Sequence, residues 1–179
     1  MSTQPQVEMQ ISQGDQTWGR IVLELDAERA PKSVANFLRY VDKGFYDGLI
    51  FHRVISGFMI QGGGYESPSR LRRDGLEPPV ENEAANGLKN LRGTIAMART
   101  SEPHSATSQF FLNVVDNAFL DHPGSDGWGY CVFGRVVEGL DVMDRIRDVE
   151  TVVSPAMGER SQPKTPPTIR SARRLPVGD

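Results

Sequence analysis

Arg53 and Gln61 stand in the run Phe51-His52-Arg53-Val54-Ile55-Ser56-Gly57-Phe58-Met59-Ile60-Gln61-Gly62-Gly63-Gly64, which is dominated by apolar residues and glycine. Read with the two-residue period of a strand, the run sends Arg53, Phe58 and Gln61 toward surfaces that an ordinary core does not ask for. Arginine is almost never fully buried without a partner. In an apolar neighbourhood its guanidinium becomes a permanently charged fork of donors. Such a fork grips an amide or a carboxylate.

Other reactive types are sparse. The histidines, His52, His104 and His122, have no local metal-ligand spacing. His52, inside a strand-like run, reads as a hydrogen-bonded structural histidine, and the other two read as solvated. Ser105, Thr107 and Ser108 lie beside His104 without a G-x-S-x-G elbow or an evident acidic partner, which argues against a hydrolase. Gly62-Gly63-Gly64 lacks the lysine of a phosphate loop and opens no helix, so it reads as a tight backbone turn. The lone cysteine, Cys131, excludes an internal disulfide and a cysteine metal cluster and reads as a buried, inert thiol. Arg70, Arg72 and Arg73 read as a solvated loop face.

The elements that must hold Arg53 and Gln61 follow from periodicity. Val7, Met9 and Ile11 alternate with polar residues, as do Ile21, Leu23 and Leu25 after the turn at Gly14-Asp15, predicting a hairpin. Pro31 suits a first helical position, Val34, Phe37, Leu38 and Val41 form one apolar stripe, and Gly44 suits a left-handed cap, predicting a helix from Pro31 to about Lys43. Short strands are predicted over 50–54, 58–61, 94–98, 109–115 and 131–137, with a long ordered surface loop over 62–93. Val142, Met143, Ile146 and Val149 predict a second amphipathic helix, with Glu138 and Asp141 at its start. Residues 161–167 read as a proline-rich connector and 168–175 as a last strand. With 179 residues, 18 glycines and 12 prolines and no β-α-β rhythm, the expected fold is mainly β. It is read as one domain over 1–179, a closed eight-stranded antiparallel β-barrel capped by two α-helices.

The net charge of −3 points to neither nucleic acid nor an anionic membrane as the main partner. The N-terminus, Met1 to Gln6, has no basic and apolar leader pattern, and no stretch has the roughly twenty apolar residues of a membrane span. A soluble, cytoplasmic protein is expected.

Four separated motifs resemble the cyclophilins, the peptidyl-prolyl cis/trans isomerases: Phe51 through Gly63, Gly93 through Ala98, Ser108-Gln109-Phe110-Phe111, and Val132-Phe133-Gly134. The resemblance runs from about Val7 to Leu175, and Glu81 to Ala84, Gly87 to Asn90 and Gly127 to Tyr130 are similar to the short bacterial cytoplasmic form. It implies an eight-stranded barrel with two helices, no metal or organic cofactor, and X-Pro-containing unfolded or flexible polypeptides as partners of a monomer. It implies Arg53 as the catalytic arginine, Gln61 as its brace, and Phe58, Met59, Phe111 and Leu120 as walls of a proline pocket. Ala98 and Arg99 match the strand edge that holds the substrate backbone, and Gln109 matches a polar contact beside the pocket. Phe119 stands where eukaryotic members often have tryptophan and Tyr130 where they often have histidine, so isomerase activity with weak cyclosporin binding is expected. The alternative is a proline-peptide binding module or chaperone with incidental catalysis.

Overall fold

Alternation along the chain places the core on one face of a single large sheet. The structure, a computed structural model, describes residues 3–176. Met1 and Ser2 of the N-terminal stretch considered above, and residues 177–179, lie outside the described residues. Strands β1 (Gln6–Gln13) and β2 (Gln16–Leu25) turn Val7, Met9, Ile11, Ile21, Leu23 and Leu25 inward, all fully buried. Helix α1 (Pro31–Asp42) follows, with Pro31 in its first turn and Gly44 left-handed just beyond its end. Its orphan N-terminal amides are satisfied from outside the helix: Ser33 N–H donates to Glu83 Oε1 at 2.7 Å and Lys32 N–H to Oε2 at 3.3 Å. The α1 stripe includes Phe37, whose ring packs 5.2 Å from Tyr46, 5.7 Å from Phe110 and 5.3 Å from Phe133.

Next come β3 (Phe51–Ile55), β4 (Met59–Gly62), the short hairpin β5 (Tyr65–Ser67) and β6 (Arg70–Leu71), β7 (Thr94–Met97), β8 (Phe110–Asn113) and β9 (Val132–Glu138). Helix α2 (Leu140–Arg147) buries Val142, Met143 and Ile146 in the same core. A second hairpin, β10 (Thr151–Val153) and β11 (Arg160–Pro163), precedes β12 (Thr168–Leu175). The main sheet runs β12-β1-β2-β9-β7-β8-β4-β3, antiparallel throughout. Among the described residues no helix is long and apolar enough to cross a membrane.

Three expectations are corrected. The barrel is not closed by a continuous ladder. The eight strands form a curled sheet whose outer strands, β12 and β3, meet only at an isolated bridge between Ile50 and Thr168. Flanking amides tie this seam, with Phe51 N–H donating to Pro167 O at 3.0 Å and Ile169 N–H to Leu49 O at 2.8 Å. Pro167 has no amide hydrogen, so the ladder cannot continue through it. Second, residues 161–163 of the expected connector belong instead to strand β11, paired with β10 from Thr151↔Pro163 to Val153↔Arg160. Third, Arg72 is no solvated loop residue. It donates to Glu66 at 2.8 Å and to the carbonyls of Phe45 and Asp47 at 2.7 and 2.8 Å, tying β6 to the segment after α1.

Candidate active site

Strand register brings three of the candidate residues side by side. Arg53 on β3 faces Gln61 on β4, Gln61 faces Phe111 on β8, Phe111 faces Ala96 on β7, and Ala96 faces Val132 on β9. This row crosses five strands on the outer face of the sheet. Between Phe51↔Gly62 and Arg53↔Gln61 the pairing slips by one residue, so β3 carries one residue too many at His52-Arg53. Such a bulge bends the strand and re-aims a side chain. Here it lets Phe51 enter the core while both His52 and Arg53 line the outer cleft.

The outer face carries its own apolar cluster, separate from the main core: Met59, Ala96, Ala98, Phe111, Leu120 and Val132, with Phe58 and Tyr130 packed against it. Of these, Phe58, Met59, Ala98, Phe111, Leu120 and Tyr130 floor a cleft of about 440 Å³ lined also by Arg53, Gln61, Gln109 and Phe119. Phe58 is pinned through its carbonyl, which accepts from Val114 N–H at 3.2 Å and Asn117 Nδ2 at 2.9 Å. Phe119 is 67% exposed and stacks on Phe58 with ring centroids 5.6 Å apart, forming a rim. Tyr130 is set beside Leu120 by its amide, which donates to the Leu120 carbonyl at 2.9 Å, and its ring meets Phe111 edge-on at 5.7 Å.

The polar groups form a chain across the cleft. Arg53 Nε donates to Glu159 Oε1 at 2.6 Å and Nη2 to Glu159 Oε2 at 3.4 Å. Gln61 Oε1 lies 3.4 Å from Arg53 Nη1, beyond a good hydrogen-bond length, while Gln61 Nε2 donates to Gln109 Oε1 at 2.9 Å. The expected brace, Gln61, is therefore the weaker partner, and Glu159 is the stronger. Gly64 makes this arrangement fit: a Cβ there would lie 2.6 Å from Gln109 Cγ.

Every candidate named from the sequence lines the cleft, though Arg99 and the Ala98 amide are engaged elsewhere. The Ala98 amide is already spent on the Gln109 carbonyl at 3.1 Å. The Arg99 side chain lines the cleft yet is 3% exposed; its guanidinium donates to Gly129 O at 2.9 Å and to Asp126 at 2.6 Å, and lies 4.4 Å from the Tyr130 ring. It supports the Tyr130 wall from behind. Arg99 in turn holds the Asp126 carboxyl well below the usual carboxylate range, helped by the amides of Gly129 and Trp128.

The cleft also contains His52, Tyr65 and Met157, and its arginine is held by Glu159; sequence reading gave none of these a place there. Met157 and Glu159 come from the β10–β11 turn, whose strands are too short to show a period. His52 was expected to be hydrogen-bonded, but its Nδ1 is buried with no hydrogen-bond partner, and the ring instead packs 4.2 Å from Tyr65. Burial, reinforced by the neighbouring Arg53 charge, pushes the His52 imidazole down to about 4. The unfolded chain takes up a proton there near its ordinary value of 6.5, and the folded chain does not. The neutral ring thus contributes stability that is complete above pH 6.5 and is lost as pH falls toward 4, up to about 3 kcal/mol. Urea unfolding across this range will show that loss, and His52→Phe will remove it; an unchanged slope in the variant refutes this role for His52.

An apolar hollow thus lies beside a held guanidinium on the outside of a curled antiparallel sheet. The profile of the cyclophilin type peptidyl-prolyl cis-trans isomerases matches residues 7–174, and the chain belongs to that family. It is 57% identical over 159 residues to peptidyl-prolyl cis-trans isomerase cyp18 of Streptomyces antibioticus, covering 88% of this chain and 93% of that one. It is also 57% identical over 135 residues to peptidyl-prolyl cis-trans isomerase B of Escherichia coli K12, covering 74% and 81%. The similarity to isomerase A of Dickeya dadantii is 57% over 156 residues, covering 87% and 79%. The protein is a peptidyl-prolyl cis-trans isomerase, and the reading as a binding module with incidental catalysis is not favoured.

Proposed function

We propose that Arg53 is the catalytic residue and that Phe58, Met59, Phe111 and Leu120 hold the substrate proline while Gln61 and Gln109 meet the adjoining backbone. The observation that carries this reading is the register row that sets Arg53, Gln61 and Phe111 side by side on three neighbouring strands. An X-Pro amide resists rotation because resonance gives its C–N bond double-bond character, a barrier of about 20 kcal/mol. In the half-rotated state the nitrogen regains its lone pair and becomes an acceptor. A donor aimed at that nitrogen binds the twisted state better than either planar one, which is the requirement for catalysis. An acceleration on the order of 10⁵ requires about 7 kcal/mol. One charged hydrogen bond supplies about 1.5–3 kcal/mol of it. The remainder comes from anchoring the ring and from the dry wall around the reacting bond.

The substrates are X-Pro segments of unfolded or flexible polypeptides, and the protein acts as a one-domain monomer in the cytoplasm, assisting folding. A reducing compartment suits its single cysteine, Cys131, which is buried with its thiol pushed up to about 11 by desolvation. Cyclosporin binds weakly, because the exposed Phe119 rim offers a ring face without an indole N–H.

Titration with a short X-Pro peptide, followed by backbone NMR, tests the assignment. The expected result is shifts centred on Gln61, Ala98, Phe111 and Tyr130, with Phe119→Trp tightening cyclosporin at least severalfold. Shifts centred instead on the separate hollow lined by Leu88, Leu91, Val132 and Arg135 would refute it.

A further inference from the structure

We propose that Glu159 is a positioning residue for the isomerisation: by gripping the Nε and Nη2 edge of Arg53, it leaves Nη1 as the corner presented to the substrate. The inference rests on the assignment of Arg53 as the residue that meets the imide nitrogen.

Arginine reaches its target through several rotatable bonds, so a fork left free spreads over many orientations. Of the two groups that touch the Arg53 fork, Glu159 engages Nε at 2.6 Å and Nη2 at 3.4 Å, whereas Gln61 approaches Nη1 at 3.4 Å. The carboxylate is charged and makes the one short bond, to Nε; its approach to Nη2 is as long as that of Gln61 to Nη1. It fixes the guanidinium plane, and Gln61 alone does not.

Glu159 is itself held. Its carbonyl accepts from Ser154 N–H at 2.7 Å, and the Gly158 amide closes the same turn onto Ser154 O at 2.8 Å. The β10–β11 ladder closes that turn in a two-stranded sheet of its own. The Glu159 carboxyl lies below its ordinary range, first because of the Arg53 hydrogen bond and then because of one from Ser161, so it is ionised at neutral pH. A purely exposed ion pair contributes little to anything. This one has side chains only 23% and 33% exposed and stands at the cleft wall beside Met157.

Kinetics on an X-Pro peptide in the full chain, with Glu159→Ala and Glu159→Gln, test the role. Glu159→Ala is expected to lower kcat about tenfold with KM held within about twofold, as misaimed catalytic groups do. Glu159→Gln keeps an acceptor for Nε and recovers most of the loss. In an Arg53→Ala background, Glu159→Ala costs nothing further. The ¹⁵N-resolved Arg53 Nε–H signal, slow to exchange with water in the unaltered protein, exchanges faster in Glu159→Ala. Unchanged kcat, a loss confined to KM, or an undiminished further loss in the Arg53→Ala background would overturn the proposal. If Arg53→Ala itself retains full turnover, the assignment of Arg53 fails instead, and the Nε–H signal still reports whether Glu159 holds the guanidinium.

Discussion

Arg53→Ala will lower kcat/KM for an X-Pro peptide by about 100- to 1000-fold while peptide affinity changes by less than tenfold. That range corresponds to about 3–4 kcal/mol, the cost typical of deleting one aimed donor from a water-poor site. The loss falls on turnover because, in the proposed arrangement, a different set of atoms holds the proline ring, the apolar cluster of Met59, Phe111 and Leu120. Arg53→Lys is expected to recover little. An ammonium is a point charge, without the planar guanidinium whose Nε Glu159 holds at 2.6 Å. The check is a coupled or NMR exchange assay for rate beside a calorimetric titration for affinity. Retained turnover in Arg53→Ala would remove the cation from the chemistry altogether.

The second large effect separates two neighbours on β8. Phe110 is fully buried and meets Phe37, Tyr46 and Phe51 edge-on at 5.7, 5.6 and 6.2 Å. Phe110→Ala leaves a void the size of a ring among these groups and will cost about 3–5 kcal/mol of stability. Phe111 points the other way, into the cleft floor against Tyr130. Phe111→Ala will cost less stability, because its ring, though buried, lines the cleft, and truncation widens an existing hollow rather than opening a sealed void. It will instead weaken peptide binding and lower kcat/KM. Urea midpoints and peptide titrations on both variants decide the matter, and an inverted order would mean that the faces of β8 have been misassigned.

Much of this was legible from local pattern. The alternation of Val7, Met9 and Ile11 is an inward-facing strand, the stripe of Val34, Phe37, Leu38 and Val41 is α1, and the last strand begins and ends at Thr168 and Leu175 as read. Arg53, Gln61 and Phe111 stood out because polar and aromatic residues broke an apolar run or matched a motif. What stayed hidden depends on distance along the chain or on single irregularities. Glu159 lies 106 positions from Arg53 and marks itself by no local spacing. The extra residue at His52-Arg53 looks, in sequence, like uninterrupted strand. The seam between β3 and β12 was read as a full ladder because strand count alone cannot show where pairing dwindles to one bridge.

The outward cluster around Phe111 and the inward one around Phe110 share a sheet but not a fate. A lineage could retune which peptides it favours by trading Phe58, Phe119 or Met157 without renegotiating the interior that keeps the molecule folded. Two rings one peptide bond apart thus answer to separate selective pressures, one set by what is caught and the other by how warm the cell becomes.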